Sequence, residues 1–450
     1  MQVKVGCISL GCPKNLVDSE IMLGLLNSDN YEITVNLPEA EVIIVNTCAF
    51  IGDAKEEAVD AILEASLYKQ TGRLKALIVT GCLAQRYRDE IINEIPEVDA
   101  VLGTGNISEI ERVIANHIGG RKDQHLFVND PADVDYLDNL RLLSSKGASQ
   151  YLKIAEGCSN YCTYCIIPSL RGPFRSRTVE SILKEAKQLV ENGARELILI
   201  AQDVSRYGED RYSEPSLVKL IQELSQLEDL KWIRLLYCYP ERITEALIQQ
   251  MKSNPKLLPY LDIPIQHASD RILKAMGRKS RKKDLIALMN TLRKEIPGIV
   301  LRTSLITGFP GETEEDFDAL VSFVRTHPFD RLGVFAYSQE EGTPAATMEN
   351  QVEEEIRENR RELLLSVQSE IAEKRMKKRI GQIFEVLTEG VADDGIFYYG
   401  RSYGEAPDID PLIYFTSPRP LQAGSFVKVR MLKSQQLDLI GEAIVNESAE

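Results

Sequence analysis

Cys158-Ser159-Asn160-Tyr161-Cys162-Thr163-Tyr164-Cys165 decides how this chain is read. Three residues separate the first two cysteines and two separate the next pair, in a stretch that also holds Gly157, Asn160, Pro168 and Gly172. With that spacing one short loop can wrap three thiolates around a single compact inorganic centre. Thiolate sulfur is the soft ligand of zinc and of iron–sulfur clusters. A structural zinc wants a fourth Cys or His close by, and none lies between Tyr151 and Arg195. A cubane cluster on three cysteines leaves one iron open, as a reactive cluster requires. Burial as small hydrophobes accounts poorly for three cysteines in so polar a loop.

Upstream, residues 1–117 alternate apolar runs with helical patterns: VKVGCISL, EVIIVNTC and LKALIVTGC as strands, with NLVDSEIMLGLLNS, DAKEEAVDAILEASLYK and QRYRDEIINEI as helices. This rhythm predicts a doubly wound parallel sheet. Cys12, Cys48 and Cys82 each fall just past one of the three strands, beside Gly11, Thr47 and Gly81. Parallel strands carry their carboxyl ends to one edge, where open α/β sheets bind ligands, so these three are expected to converge. Cys7 alternates inside the first strand and reads as core, whereas the role of Cys238 stays open. The loop Leu102–Asn106 lacks the spacing of a dinucleotide fingerprint, and Asn106 or Ser108 reads as the cap of the helix SEIERVIANH.

Downstream, 118–149 carry turn formers without a period and read as a linker or short hairpin. Six βα units over 150–345 suit a partial parallel barrel with its site at the carboxyl-terminal mouth, and the three-cysteine loop follows the first of its strands. Residues 346–380 read as a solvated connecting helix, with eight basic against seven acidic residues in its helical run. Five β-rich runs over 381–446 predict a small five-stranded barrel.

The composition, 44% hydrophobic and 27% charged, is that of an ordinary globular protein. No eighteen-residue apolar run predicts a membrane span, and MQVKVGCISLGC lacks the apolar region of a signal peptide. Eight cysteines without such a signal point to reduced thiols and a cytoplasmic location. A net charge of −15 argues against a generally nucleic-acid-binding surface.

The cysteine spacing, Tyr164 before the last cysteine and the βα barrel together resemble the radical S-adenosylmethionine superfamily. The longer string EGCSNYCTYCIIPSLRGPFRSR is similar to its methylthiotransferase branch, and the resemblance covers essentially the whole chain. It implies two [4Fe-4S] clusters, one on Cys158, Cys162 and Cys165 and one on Cys12, Cys48 and Cys82, with S-adenosylmethionine at the former and a TRAM module at the C-terminus. The implied reaction inserts a methylthio group at an unactivated C–H bond, with an electron donor such as flavodoxin or ferredoxin and a sulfur donor as partners. Tyr164, Gln202, Asp203, Arg302 and Ser304 are the candidate cofactor contacts; the last four are placed at strand ends facing the mouth. Arg171, Arg175, Arg177 and His267 stay undecided among cofactor, substrate and structural roles.

For the substrate, the terminal barrel has five Lys/Arg against nine Asp/Glu, a net −4. A module gripping RNA phosphates should be basic, whereas an acidic one suits a basic protein loop. SLGCPKNLVDSE and GRSYGEAPDID also resemble the ribosomal-protein members of the family. The expected substrate is therefore an aspartate β-carbon of small-subunit ribosomal protein S-twelve, with no tRNA partner. A tRNA adenosine 2-methylthiotransferase and a two-cluster electron-transfer protein are the alternatives.

Overall fold

The computed structural model describes residues 2–120, 126–130, 135–144 and 147–444. Parts of the expected linker, and positions 445–446 of the expected terminal barrel, lie outside the described residues.

The first sheet contains β1 (Val3–Ser9), β2 (Tyr31–Ile33), β3 (Val42–Thr47), β4 (Ala76–Gly81), β5 (Ala100–Leu102) and β6 (Leu126–Phe127). Its order is β2-β1-β3-β4-β5-β6, and every pairing is parallel. All residues of β3 and β4 are buried, as expected of parallel strands covered on both faces. The strand order reverses between β1 and β3, and that switch point is where such sheets open a crevice. β6 arises in the segment read as a linker. Two residues are too short a run to show a period, but Phe127 is buried against the first sheet's core, as are Tyr136 and Leu137 further along.

The second sheet starts with β7 (Ser149–Lys153). A short antiparallel pair, β8 (Ala155–Glu156) with β9 (Arg175–Ser176), closes the cysteine loop at its base. The sheet continues through β10 (Glu196–Ile200), β11 (Trp232–Leu235), β12 (Leu257–Asp262), β13 (Val300–Thr307) and β14 (Arg331–Ala336). The order is β7-β10-β11-β12-β13-β14, all parallel and open at both ends, so this is a half-barrel. Amphipathic helices such as Val179–Glu191, capped by the Thr178 hydroxyl, bury one stripe against one face of this sheet. The other face, through Tyr151, Ile198, Trp232 and Tyr260, shares one core with Val17, Ile21 and Met22 of helix Pro13–Leu25.

Helix Glu354–Arg379 is not merely solvated. Leu364 and Val367 enter the half-barrel core, Arg360 pairs with buried Glu312 at 2.8 Å, and Met376 enters the core of the terminal barrel. Near-balanced charge concealed that apolar stripe. The terminal barrel is closed, from β15 (Ile383–Val391), β16 (Tyr398–Arg401), β17 (Ile413–Thr416), β18 (Phe426–Gln435) and β19 (Asp438–Ala443). It docks on the amino ends of the half-barrel strands. Arg401 reaches Ser149 and Glu196, Phe426 packs edge-on to Trp232, and Glu405 takes Arg331. Among the described residues no helix is long and apolar enough to cross a membrane.

Candidate functional site: two cysteine triads on facing edges

Cys12 is the residue before helix Pro13–Leu25, Cys48 follows β3, and Cys82 opens helix Cys82–Arg86 after β4. Their glycine neighbours bring them together. Gly11 has φ +86°, and a Cβ there would lie 2.7 Å from Cys48 Cβ and 3.1 Å from its Sγ. Gly81 has φ +91°, and a Cβ there would lie 2.5 Å from the Thr47 carbonyl. Only glycine lets these turns press so closely, and the three strand ends converge as expected. Burial and the neighbouring Cys82 and Cys12 push the Cys48 thiol up to about 11. Cys12 differs: burial opposes ionisation, but Lys14, Arg171 and the backbone N–H groups of Asn15 and Lys14 hold its thiol below the ordinary value. Cys7, pushed up to about 12 by burial, and Cys238, raised well above the ordinary value for the same reason, stand outside both triads.

Cys158, Cys162 and Cys165 lie on the loop between β8 and β9. Gly157 enters it at φ +77°, where a Cβ would meet the Pro173 carbonyl at 2.1 Å. The loop is braced from the half-barrel. Asn160 Nδ2 donates to Asp203 Oδ2 at 2.9 Å, and the Ser205 hydroxyl donates to Asp203 Oδ1 at 2.6 Å. Arg278 Nη1 and Tyr239 Oη each stand 3.8 Å from Cys162 Sγ, and the guanidinium stacks over the Tyr239 ring at 4.3 Å. Burial raises the Cys158 and Cys165 thiols. Thiols in such a setting ionise when a metal displaces the proton.

The other expected contacts are distributed unevenly. Gln202 follows β10 and donates to Glu156 Oε1 at 2.7 Å, while its own Oε1 is buried without a partner. Asp203 makes no helix cap; its oxygens are held by Asn160 and Ser205. Tyr164 packs beside Met276, Phe309 and Tyr337 behind the loop. Arg302 and Ser304 lie within β13 rather than at its end, because that strand runs on to Thr307. Arg302 pairs with Asp262 at 2.9 Å, and Ser304 offers its backbone carbonyl to Gln266. Arg175 and Arg177 donate to the carbonyls of Arg171 and Lys153. His267 is fully buried, accepting from Ser269 N–H at 2.9 Å with Glu312 3.2 Å away, which is a structural role. Asn106 does not cap the following helix; its carbonyl oxygen takes the Asn129 N–H.

The two triads face each other. Lys14, two residues past Cys12, lies 3.4 Å from the centre of the Tyr237 ring just beyond β11, at the mouth of the half-barrel. At the far edge of that sheet, Glu340 after β14 accepts from Lys55 at 2.8 Å and from Arg86 at 2.6 Å. The first domain thus reaches from the end of β11 to beyond the last strand, β14. Sequence reasoning noted Asn160 in the cysteine loop without giving it a role, and did not single out Lys14, Tyr239, Arg278 or Glu340. For Lys14 the signal was its place two residues past Cys12; the other three come from distant loops.

The donor set suits clusters better than a single ion. A cubane takes each thiolate at a separate iron. Three thiolates at each site match such a cluster, and the unpartnered Gln202 Oε1 leaves an acceptor for a bound molecule.

Comparisons with known proteins agree along the whole chain. Residues 4–103 match the uncharacterized protein family UPF0004, 152–324 the radical SAM superfamily and 380–444 the TRAM domain. The chain is 54% identical to the ribosomal protein uS12 methylthiotransferase RimO of Acetivibrio thermocellus, covering 100% of both chains. It is 52% identical to the protein of that name from Geobacter sulfurreducens, covering 98% of each. Among solved structures, the radical S-adenosylmethionine methyltransferase TsrM of Kitasatospora setae aligns over 77% of this chain and 74% of its own, with TM-score 0.57 and 13% identity, a likeness of fold. The chain belongs to the radical S-adenosylmethionine methylthiotransferases of the RimO type, with UPF0004, radical SAM and TRAM domains in that order.

Proposed function

We propose that this protein methylthiolates ribosomal protein uS12, converting a C–H bond at an aspartate β-carbon to C–S–CH3. One observation carries the reading: relatives matching the chain from end to end at 52–54% identity share that one printed activity. The protein holds two [4Fe-4S] clusters, on Cys158, Cys162 and Cys165 and on Cys12, Cys48 and Cys82. With S-adenosylmethionine bound, such centres supply radical hydrogen abstraction and sulfur chemistry that no side chain provides.

The chain's own residues position these centres. Asp203, through Asn160, fixes the loop between its first two cysteines. Arg278 and Tyr239 place a cation and a hydroxyl beside Cys162. Gln202, anchored on Glu156, offers its free carbonyl oxygen to the bound cofactor. Lys14 and Tyr237 bring the N-terminal triad over the mouth, so that sulfur and target carbon meet there. The functional units are 1–117, 150–345 and 381–446, the electron donor is of the flavodoxin or ferredoxin class, a separate donor supplies sulfur, and the setting is the cytoplasm.

The test is anaerobic reconstitution with iron, sulfide, S-adenosylmethionine and a reductant, offering uS12 and tRNA together. Mass spectrometry is expected to find the methylthio group on an aspartate of uS12. A product on tRNA alone would overturn the reading in favour of adenosine modification.

A further inference from the structure

Arg171 occupies the seam between the two triads. It ends the helix Ile167–Arg171, which begins two residues past Cys165, and it is 2% exposed. Its Nη1 donates to Asp18 Oδ2 at 2.6 Å and to Glu156 Oε2 at 2.9 Å, and its Nη2 donates to Asn15 Oδ1. Asn15 and Asp18 belong to the helix that starts right after Cys12, and Glu156 stands two residues before Cys158. The guanidinium also lies within electrostatic reach of the Cys12 and Cys82 thiols. One side chain therefore touches the flanks of both cysteine sets.

The surrounding charges are closely balanced. Fully buried Lys153 pairs with Asp18 at 2.6 Å and with Glu156, and the Tyr136 hydroxyl donates to Glu156 at 2.9 Å. Asp18 and Glu156 against Lys153 and Arg171 sum to zero before any thiolate is added. Buried ions are tolerated only when paired this fully. Only the planar guanidinium fork can engage both sides in fixed directions at once.

We propose that Arg171 is a positioning residue for the two-centre reaction, fixing the N-terminal triad against the half-barrel triad and supplying the compensating charge beside the N-terminal cluster. The proposal rests on the two-cluster reading above. Reduction adds negative charge to a cluster, so a neighbouring cation raises its potential.

The test uses the full chain with Cys158, Cys162 and Cys165 all replaced by alanine, so that only the N-terminal cluster loads. Its midpoint potential is read by EPR-monitored titration. Arg171→Gln leaves Lys153 alone against two carboxylates, and the potential moves negative. Asp18→Asn unbalances the group the other way, and the potential moves positive. Arg171→Lys keeps the charge and loses the fork. Its potential stays near the parent's, but with Cys158, Cys162 and Cys165 restored it forms 5′-deoxyadenosine in excess over methylthiolated product. Unshifted potentials in Arg171→Gln and Asp18→Asn overturn the charge role, and a parental product ratio in Arg171→Lys overturns the positioning role. If Arg171→Gln fails to retain iron, Asp18→Asn decides alone, and no positive shift overturns the charge role. A triple-alanine parent that binds no iron overturns the two-cluster reading itself, before any Arg171 variant is made.

Discussion

Replacing Glu196 with Gln should loosen the TRAM domain from the half-barrel. Glu196, at the first position of β10, is fully buried and accepts from Arg234 Nε at 2.7 Å, Arg401 Nη2 at 2.8 Å and the Ser149 hydroxyl at 2.8 Å. The amide would leave buried Arg234 without its carboxylate and Arg401 with Glu389 alone, at 2.7 Å, a loss of about 3 kcal/mol. Titration gives a similar size. Burial alone would raise this carboxyl, but Arg401 and Arg234 hold it at about 2, against 4.5 when free. That difference corresponds to about 3 kcal/mol at neutral pH. A lowered pKa contributes stability that is fully present above 4.5 and disappears as pH falls toward 2, so parent and variant should converge over that window. The assay is built in, because Trp232 is the sole tryptophan and its ring meets Phe426 of the TRAM domain edge-on, centroids 4.8 Å apart. In urea, the red shift of its emission should occur at distinctly lower concentration in Glu196→Gln at pH 7. A docking loss below about 1 kcal/mol, or a gap between parent and variant that persists unchanged at pH 2, would refute the reasoning.

Other substitutions separate the parts of the site. Cys48→Ala should remove about half the iron of the reconstituted protein, since only one of two clusters loses a ligand; unchanged iron would remove Cys48 from the ligand set. Gly157→Ala forces a Cβ to within 2.1 Å of the Pro173 carbonyl at φ +77°, and should cost the half-barrel cluster while circular dichroism stays near parental. Glu340→Gln frees Lys55 and Arg86 from a 2% exposed carboxylate and should weaken the far clasp by about 3 kcal/mol. Hydrogen exchange would show this as faster exchange in helix Gly52–Ser66, and unchanged protection there would rule it out.

Strands and helices with strong periods were legible: β3, β4 and the five strands of the terminal barrel all appear where the apolar runs place them. So was the convergence of Cys12, Cys48 and Cys82, because parallel topology dictates where strand ends go. β6 was not, since two residues carry no period, nor was the buried stripe of Glu354–Arg379 beneath its balanced charges. The acidity of the TRAM segment was legible, but its meaning was not. Glu385 pairs with Lys231, Glu405 with Arg331 and Arg379, Asp408 with Tyr151, and Asp410 with Tyr260. Four of the nine acids thus make contacts outside the barrel, so part of that acidity serves assembly. Site residues contributed by distant loops, such as Arg278 and Glu340, leave no trace in linear spacing.

Docking at opposite ends of the half-barrel has a geometric consequence. The strands are four to eight residues long, and at about 3.3 Å per residue they span about 13–26 Å. The N-terminal triad lies at their carboxyl ends and the TRAM domain at their amino ends. A short peptide threaded into the mouth therefore stays out of the TRAM domain's reach, and only a bulky particle wrapped around the side of the molecule can touch both ends at once. The mouth and the TRAM domain are thereby separated by the full height of the sheet.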